Sequence, residues 1–139
     1  MTEELIRKFY EDVLVAGKHD VLDEIATADY IEHDPLPGQG EGLPGLKERA
    51  RMLKDGLAVR FTIEDVIQNG DKLVVRWTNS GTHVGEFLGI PPTNKSFLVA
   101  GIDIYRLEGG KLVEHWHVID QLSLLQQLGL IPTPEGADA

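Results

Sequence analysis

Asp103, His115 and His117 are the residues whose types and spacing fit acid/base chemistry. They lie on two segments, LVAGIDIYRL (98–107) and KLVEHWHVID (111–120), joined by a turn holding Gly109 and Gly110, a strong hairpin signal. Alternate residues of a strand share a face. Val99, Gly101, Asp103 and Tyr105 therefore form one row, and Val113, His115, His117 and Ile119 form another. An imidazole, with an ordinary pKa near ~6.5, can take or give a proton around neutrality, and a nearby carboxylate fixes its tautomer and stabilises its charged form. Asp103 and His117 are accordingly the expected catalytic pair. His117 would transfer the proton, with Asp103 as its partner, or as the base itself should desolvation raise its pKa. The structural alternative is a cross-strand hydrogen bond with no chemistry attached.

Four further residues are candidates for substrate binding. His115 has the same parity as His117 and either lines a pocket or sits at a sheet edge or interface. His33, in YIEHDP, stands beside the Pro and Gly-rich loop PLPGQGEG (35–42) and is placed to meet a ligand at a pocket mouth. Trp77 offers a flat wall to an aromatic ligand, although a large aromatic in a strand is first a core residue. Asp120 falls where a strand gives way to a helix, so it reads first as an N-cap and second as an acid/base group. Tyr30 is expected to pack with its hydroxyl finding a partner. His83 makes no HExxH pair or thiolate set with His115 and His117, so no metal site is expected, and it reads as support for the bend in GTHVGEF.

The elements that must position these groups follow from periodicity. Leu5, Ile6, Phe9, Tyr10, Val13 and Leu14 recur at helical spacing, with Thr2 placed as a cap, and this helix should end near Gly17. A short helix is expected after Asp20. Pro44 suits the first turn of a third helix, on which Leu46, Ala50, Leu53 and Leu57 form an apolar stripe. From Arg60 the period shifts towards two, giving strands at FTIEDVIQ, KLVVRWTNS, SFLVAGIDIYRL and KLVEHWHVI, with a hairpin turn at Asn69 and Gly70. A closing helix holding Leu122, Leu124, Leu125 and Leu128 stops at Gly129. Helices followed by an antiparallel meander indicate an α+β domain, with N-terminal helices covering one face of a curved sheet and enclosing a pocket.

Composition narrows the function classes. At 139 residues the chain fits one domain, taken as 1–131, with PTPEGADA (132–139) as a flexible tail. The absence of cysteine excludes disulfides, thiolate ligands and a Cys nucleophile. A formal net charge of −10 argues against nucleic-acid binding, which depends on cations neutralising phosphate. The acidic, charge-interrupted N-terminus lacks the pattern of a secretory signal, and no run approaches the ~20 apolar residues that cross a bilayer, so a soluble cytoplasmic protein without a membrane partner is expected. Neither glycine-rich stretch has the strand-to-helix context of a phosphate cradle, and no Gly-x-Ser-x-Gly elbow is present.

Residues 81–94, GTHVGEFLGIPPTN, and 101–129, GIDIYRLEGGKLVEHWHVIDQLSLLQQLG, resemble the SnoaL-like polyketide cyclase family of the nuclear transport factor 2-like superfamily. GEFLGIPPT and the LLQQLG ending carry most of the resemblance, which extends in element order over most of the chain. It implies a cone-shaped α+β fold open at one end to a small hydrophobic, carbonyl-bearing ligand. It also implies an intramolecular aldol cyclisation without metal or organic cofactor, and a homodimer paired through the sheets, with Trp116 and its neighbours at the contact. The family's acidic catalytic residue corresponds to His117 and its histidine to Asp103, so the two types are exchanged here, which puts polyketide specificity in question. Isomerisation or epoxide hydrolysis on the same fold, and a non-catalytic ligand-binding module, stay open as alternatives. The epoxide version asks for an Asp, Arg, Asp constellation, for which Arg76 is the nearest cation by sequence, but its parity differs from that of Val75 and Trp77, so it cannot share their face.

Overall fold

The computed structural model describes residues 2–133, so the expected tail lies outside the described residues from 134 onward. The first helix, α1, starts at Thr2–Ile6 and continues with wider, π-type bonding over Arg7–Val15. Leu5, Ile6, Phe9, Tyr10, Val13 and Leu14 are all buried, as their spacing requires, and Gly17 follows the helix in the left-handed region at φ 78°. Thr2 does not act as a cap. It lies within α1 and its hydroxyl donates to Gln68 Oε1 at 2.6 Å. A 3₁₀ turn at His19–Val21 leads into the short helix α2 (Leu22–Ile25), and the long helix α3 spans Gly42–Leu57.

Strands β2 (Phe61–Asn69), β3 (Lys72–Thr82), β4 (Ser96–Glu108) and β5 (Lys111–Ile119) form the expected antiparallel meander, and α4 (Gln121–Gln127) closes the chain. A fifth strand, β1 (Ala26–Glu32), joins them parallel to β5, giving the order β1-β5-β4-β3-β2. Its sequence, ATADYIE, carries no regular alternation, because a register shift between Ala26 and Ile31 interrupts its pairing with β5. The fold is α+β, with α1 and α3 over one face of the mixed sheet.

The inward row of β4 is Phe97, Val99, Gly101, Asp103 and Tyr105, all buried, whereas Leu98, Ala100 and Ile104 are exposed on the other face. In register Asp103 opposes His117, and Tyr105 opposes His115. Gly101 opposes Trp77 on β3, and a Cβ at Gly101 would stand 2.4 Å from the indole ring. The missing side chain is what lets the indole lie across β4. Between the inward row, α1 and α3 an apolar core holds Leu22, Leu46, Ala50, Leu57, Val75 and Leu112. No helix among the described residues is long and apolar enough to cross a membrane.

Candidate active site

A cavity of about 390 Å³ opens between the inner sheet face, α1 and α3. Its walls are apolar, with Phe9, Leu46, Leu57, Phe61, Phe87 and Phe97 among them, and its polar end gathers Tyr30, Glu32, Arg49, Asp103, His115 and His117. Concave, mostly apolar sites with a few convergent polar groups are the usual form of small-molecule pockets.

Asp103 is 7% exposed and both of its oxygens are engaged. Oδ1 accepts from His115 Nε2 at 2.8 Å, and Oδ2 accepts from Trp77 Nε1 at 2.7 Å and from the Tyr10 hydroxyl. Burial pushes this carboxyl up, but the bond to His115 and its charge, with the Tyr10 and Trp77 donors, outweigh that and hold it below the ordinary value. The Tyr10 hydroxyl also contacts that of Tyr105 at 2.8 Å, and burial raises both phenols well above their ordinary range.

His115, 4% exposed, is clamped between two carboxylates, since Glu32 on β1 meets its Nδ1 at 2.8 Å. Burial alone would lower its pKa, but the bonds and charges of Asp103 and Glu32 raise it, so the ring is held as an imidazolium. Glu32 is pushed up by burial and pulled further down by His115 and Arg49. The parallel strand β1 makes the clamp, because it sets Glu32 directly opposite His115.

His117 has a different environment. Its ring stacks on His115 with centroids 5.5 Å apart and planes 7° apart, and its backbone N–H donates to Asp34 Oδ2 at 2.8 Å. The Arg49 guanidinium reaches both ring nitrogens, at 3.3 Å from Nδ1 and 3.5 Å from Nε2. Arg49 also donates to the Asp34 carbonyl at 2.9 Å and pairs with Glu32 at 3.3 Å. Burial first, then the positive charge of Arg49, lower the His117 pKa, leaving a neutral imidazole around pH 7. Three carboxylates, Glu32, Asp34 and Asp103, face one imidazolium and one guanidinium, so the polar end as a whole carries about one net negative charge.

Glu32, His115 and His117 each present a ligand atom within 4.8 Å of the others. The set is a poor fit to a metal ion. Both nitrogens of His115 are already spent on carboxylates, and the Arg49 cation contacts both Glu32 and His117. His83 takes no part, being buried near the bend with its Nδ1 3.1 Å from the Thr93 hydroxyl.

The sequence candidates separate accordingly. Trp77 and His115 line the cavity. Asp103 and His117 both reach it, but Asp103 hydrogen-bonds His115 rather than His117, because the imidazole two positions along the strand points its Nε2 at the carboxylate while His117 turns to Arg49. His33 is not at the mouth. It stacks on Trp116 at 4.7 Å and bonds Glu114 at 2.6 Å on the outer side, the loop approaching the cavity through Asp34 and Pro35 instead. Asp120 caps α4, accepting from Ser123 N at 3.1 Å, and its neighbour Gln121 lines the cavity. Arg76 lies outside, bonded to Asp65 at 2.7 Å, so no constellation forms around it. Tyr30 is buried, but among the described residues its hydroxyl finds no partner.

Sequence reading missed Tyr10, Glu32 and Arg49. Tyr10 and Arg49 lie on helices whose apolar periodicity explained them as core or as solvated face, and Glu32 lies on the unrecognised strand. A signal did exist for Arg49, which is one turn from Leu46 and next to Ala50 on the buried stripe.

An α+β pocket with apolar walls and ionisable groups gathered on the inner sheet face has the form of a small-ligand site. Residues 4–128 match the family described as SnoaL-like polyketide cyclase, and the chain belongs to that family. Aklanonic acid methyl ester cyclase of Streptomyces peucetius is 28% identical over 96% of this chain and 94% of its own length. Nogalonic acid methyl ester cyclase of Streptomyces nogalater is 26% identical over 81% of this chain and 87% of its own. The solved structure of TsrD from Streptomyces laurentii superposes with a TM-score of 0.85 at 31% identity, covering 94% of this chain and 96% of that one.

Proposed function

We propose that the protein is an enzyme that closes a ring in an uncharged, polyketide-like substrate by intramolecular aldol addition, using His117 as base and then acid. The observation that carries this reading is the His117 imidazole at the polar end of an apolar cavity with the Arg49 guanidinium against its nitrogens, a setting that with burial lowers the pKa of the ring and favours its neutral form. The neutral ring removes a proton next to one carbonyl, and Arg49 lies where the enolate charge would develop. The imidazolium so formed sits beside Arg49, a like charge that drives its proton on to the alkoxide created when the enolate carbon adds to the second carbonyl. One C–H bond and one C=O π bond are exchanged for a C–C and an O–H bond, with no net redox change.

Asp103 serves this scheme as a positioning residue. Both of its oxygens are engaged by donors, so it fixes His115, and the His115 ring supports the His117 ring by stacking. The slightly negative polar end disfavours a substrate with a free carboxylate, and the apolar walls suit fused aromatic rings. The apolar outer row of Leu98, Ile104 and Val118 suits pairing of two sheets in a homodimer, Leu98 being 62% and Val118 67% exposed.

The test uses aklanonic acid methyl ester, the compound named for one relative. Cyclisation leaves the mass unchanged, so it is followed by chromatographic shift and by replacement of a ketone carbon signal with a carbinol signal. Turnover by the wild type and its loss in folded His117→Ala supports the scheme. Turnover unchanged in that variant removes His117 as base, and saturable binding without turnover of this or related ketones favours a binding module.

A further inference from the structure

Tyr30 is 3% exposed, and among the described residues its hydroxyl has no hydrogen-bond partner. Other described residues also bury an unpartnered polar atom, namely His19, Thr27, Gln39 and His83, but Tyr30 alone among these lines the cavity. A buried hydroxyl left without an acceptor is destabilising and calls for a specific explanation. Three features of its surroundings supply one. β1 holds Tyr30 two residues from Glu32, on the same side of the strand as the clamp on His115. Burial first, then the negative charges of Glu32 and Asp103, hold the phenol well above its ordinary range against the opposing pull of Arg49, so it stays protonated, a donor at any physiological pH. The carboxylates at that end are already occupied, Asp103 by three donors and Glu32 by His115 and Arg49. Among the described residues none accepts from the Tyr30 hydroxyl, and since Tyr30 lines the cavity a molecule bound there can supply the acceptor.

We propose that the Tyr30 hydroxyl is the hydrogen-bond donor to the ligand carbonyl that becomes the alkoxide, so that Tyr30 is a catalytic residue of this site. This rests on the aldol reading for its chemistry, although the carbonyl contact itself does not require turnover. As the new C–C bond forms, the π electron pair of the accepting carbonyl moves onto its oxygen, which Tyr30 stabilises by a hydrogen bond while keeping its own proton. His117 then delivers the proton to that oxygen. A donor aimed at charge that develops only in the transition state lowers the barrier more than it strengthens binding.

Tyr30→Phe tests this, because it removes only an unpartnered oxygen. Its melting temperature should be no lower than that of the wild type, and circular dichroism should be unchanged. With aklanonic acid methyl ester, kcat should fall roughly 10²-fold or more with KM changed less than about threefold, the pattern of a transition-state donor. The acidic limb of the pH profile should stay where His117 puts it. A second readout is independent of turnover: the infrared carbonyl band of bound 1-tetralone, carbon-13 labelled at the carbonyl, should lie at lower frequency in the wild type than in Tyr30→Phe. Full kcat in the variant, or the same bound carbonyl frequency in both proteins, overturns the proposal. Should the wild type bind the ketone with a lowered frequency yet turn nothing over, the aldol reading falls and the Tyr30 carbonyl contact stands, without its catalytic role.

Discussion

Asp103 faces His117 across the β4–β5 pair, yet its Oδ1 accepts a 2.8 Å hydrogen bond from His115, the diagonal neighbour on the same face. Long side chains in a sheet reach the diagonal position. The consequence is a division of labour between two histidines separated by one residue. His115 is a fixed imidazolium between carboxylates, and His117 is a neutral ring free to titrate.

Asp103→Asn should be severely destabilising. It leaves the His115 imidazolium short of one of its two counter-ions and puts an amide nitrogen among the donors of Tyr10, Trp77 and His115. Breaking a buried ion pair by removing one partner costs about 3–5 kcal/mol. Denaturant unfolding should report a loss of that size, and a loss below about 1 kcal/mol would show the network to be slack.

The acidic limb of kcat/KM should lie below the ordinary histidine value of ~6.5, because the base must be neutral and its pKa is lowered by burial and by Arg49. Arg49→Gln removes the charge, so the limb should move to higher pH while kcat falls by about 10²-fold for lack of enolate stabilisation. Unmoved limbs would assign the titration to another group. The measurement is a pH–rate profile of both proteins.

Stability should fall at both pH extremes for different reasons. The raised pKa of His115 gives stabilisation that is fully present below its unfolded value of ~6.5 and lost as pH rises through the higher folded value. The lowered pKa values of Asp103 and Glu32 give stabilisation present above their unfolded values of ~4 and lost as pH falls through the folded ones. His115→Gln should flatten the alkaline decline in a series of melting curves. An alkaline decline of wild-type steepness in that variant would mean that His115 is not the group responsible.

Gly101→Ala should act on the Asp103 network through Trp77. Its Cβ would meet the Trp77 ring at 2.4 Å, forcing the indole away and breaking the Nε1 bond to Asp103. Overpacking of this kind costs about 1–3 kcal/mol. Lower stability together with altered Trp fluorescence is the expected result, and an unperturbed variant would show that the indole has room to move.

Sheet-to-sheet pairing should be abolished by Val118→Lys, which places a charge in the apolar outer row. Sedimentation velocity at micromolar concentration should give a dimer for the wild type and a monomer for the variant. A monomeric wild type would remove the homodimer from the proposal.

Much of this molecule follows from local pattern. Period-2 alternation placed β3, β4 and β5 within a residue or two, Gly109 and Gly110 fixed the hairpin, and parity put Asp103, His115 and His117 on one inner face with Trp116 on the other. GEFLGIPPT and LLQQLG pointed to the family. Parity, however, says which side chains share a face and not which of them bond, so the choice of His115 over His117 as the partner of Asp103 was decided only when Glu32 arrived from β1, 83 residues away in the chain. Tyr10, 93 residues from Asp103, and Arg49, 68 residues from His117, are likewise brought in by helices packing on the sheet. Long-range contacts of this kind leave no periodic trace in the sequence, and they alone settle which imidazole carries a fixed charge and which is left neutral beside the cavity.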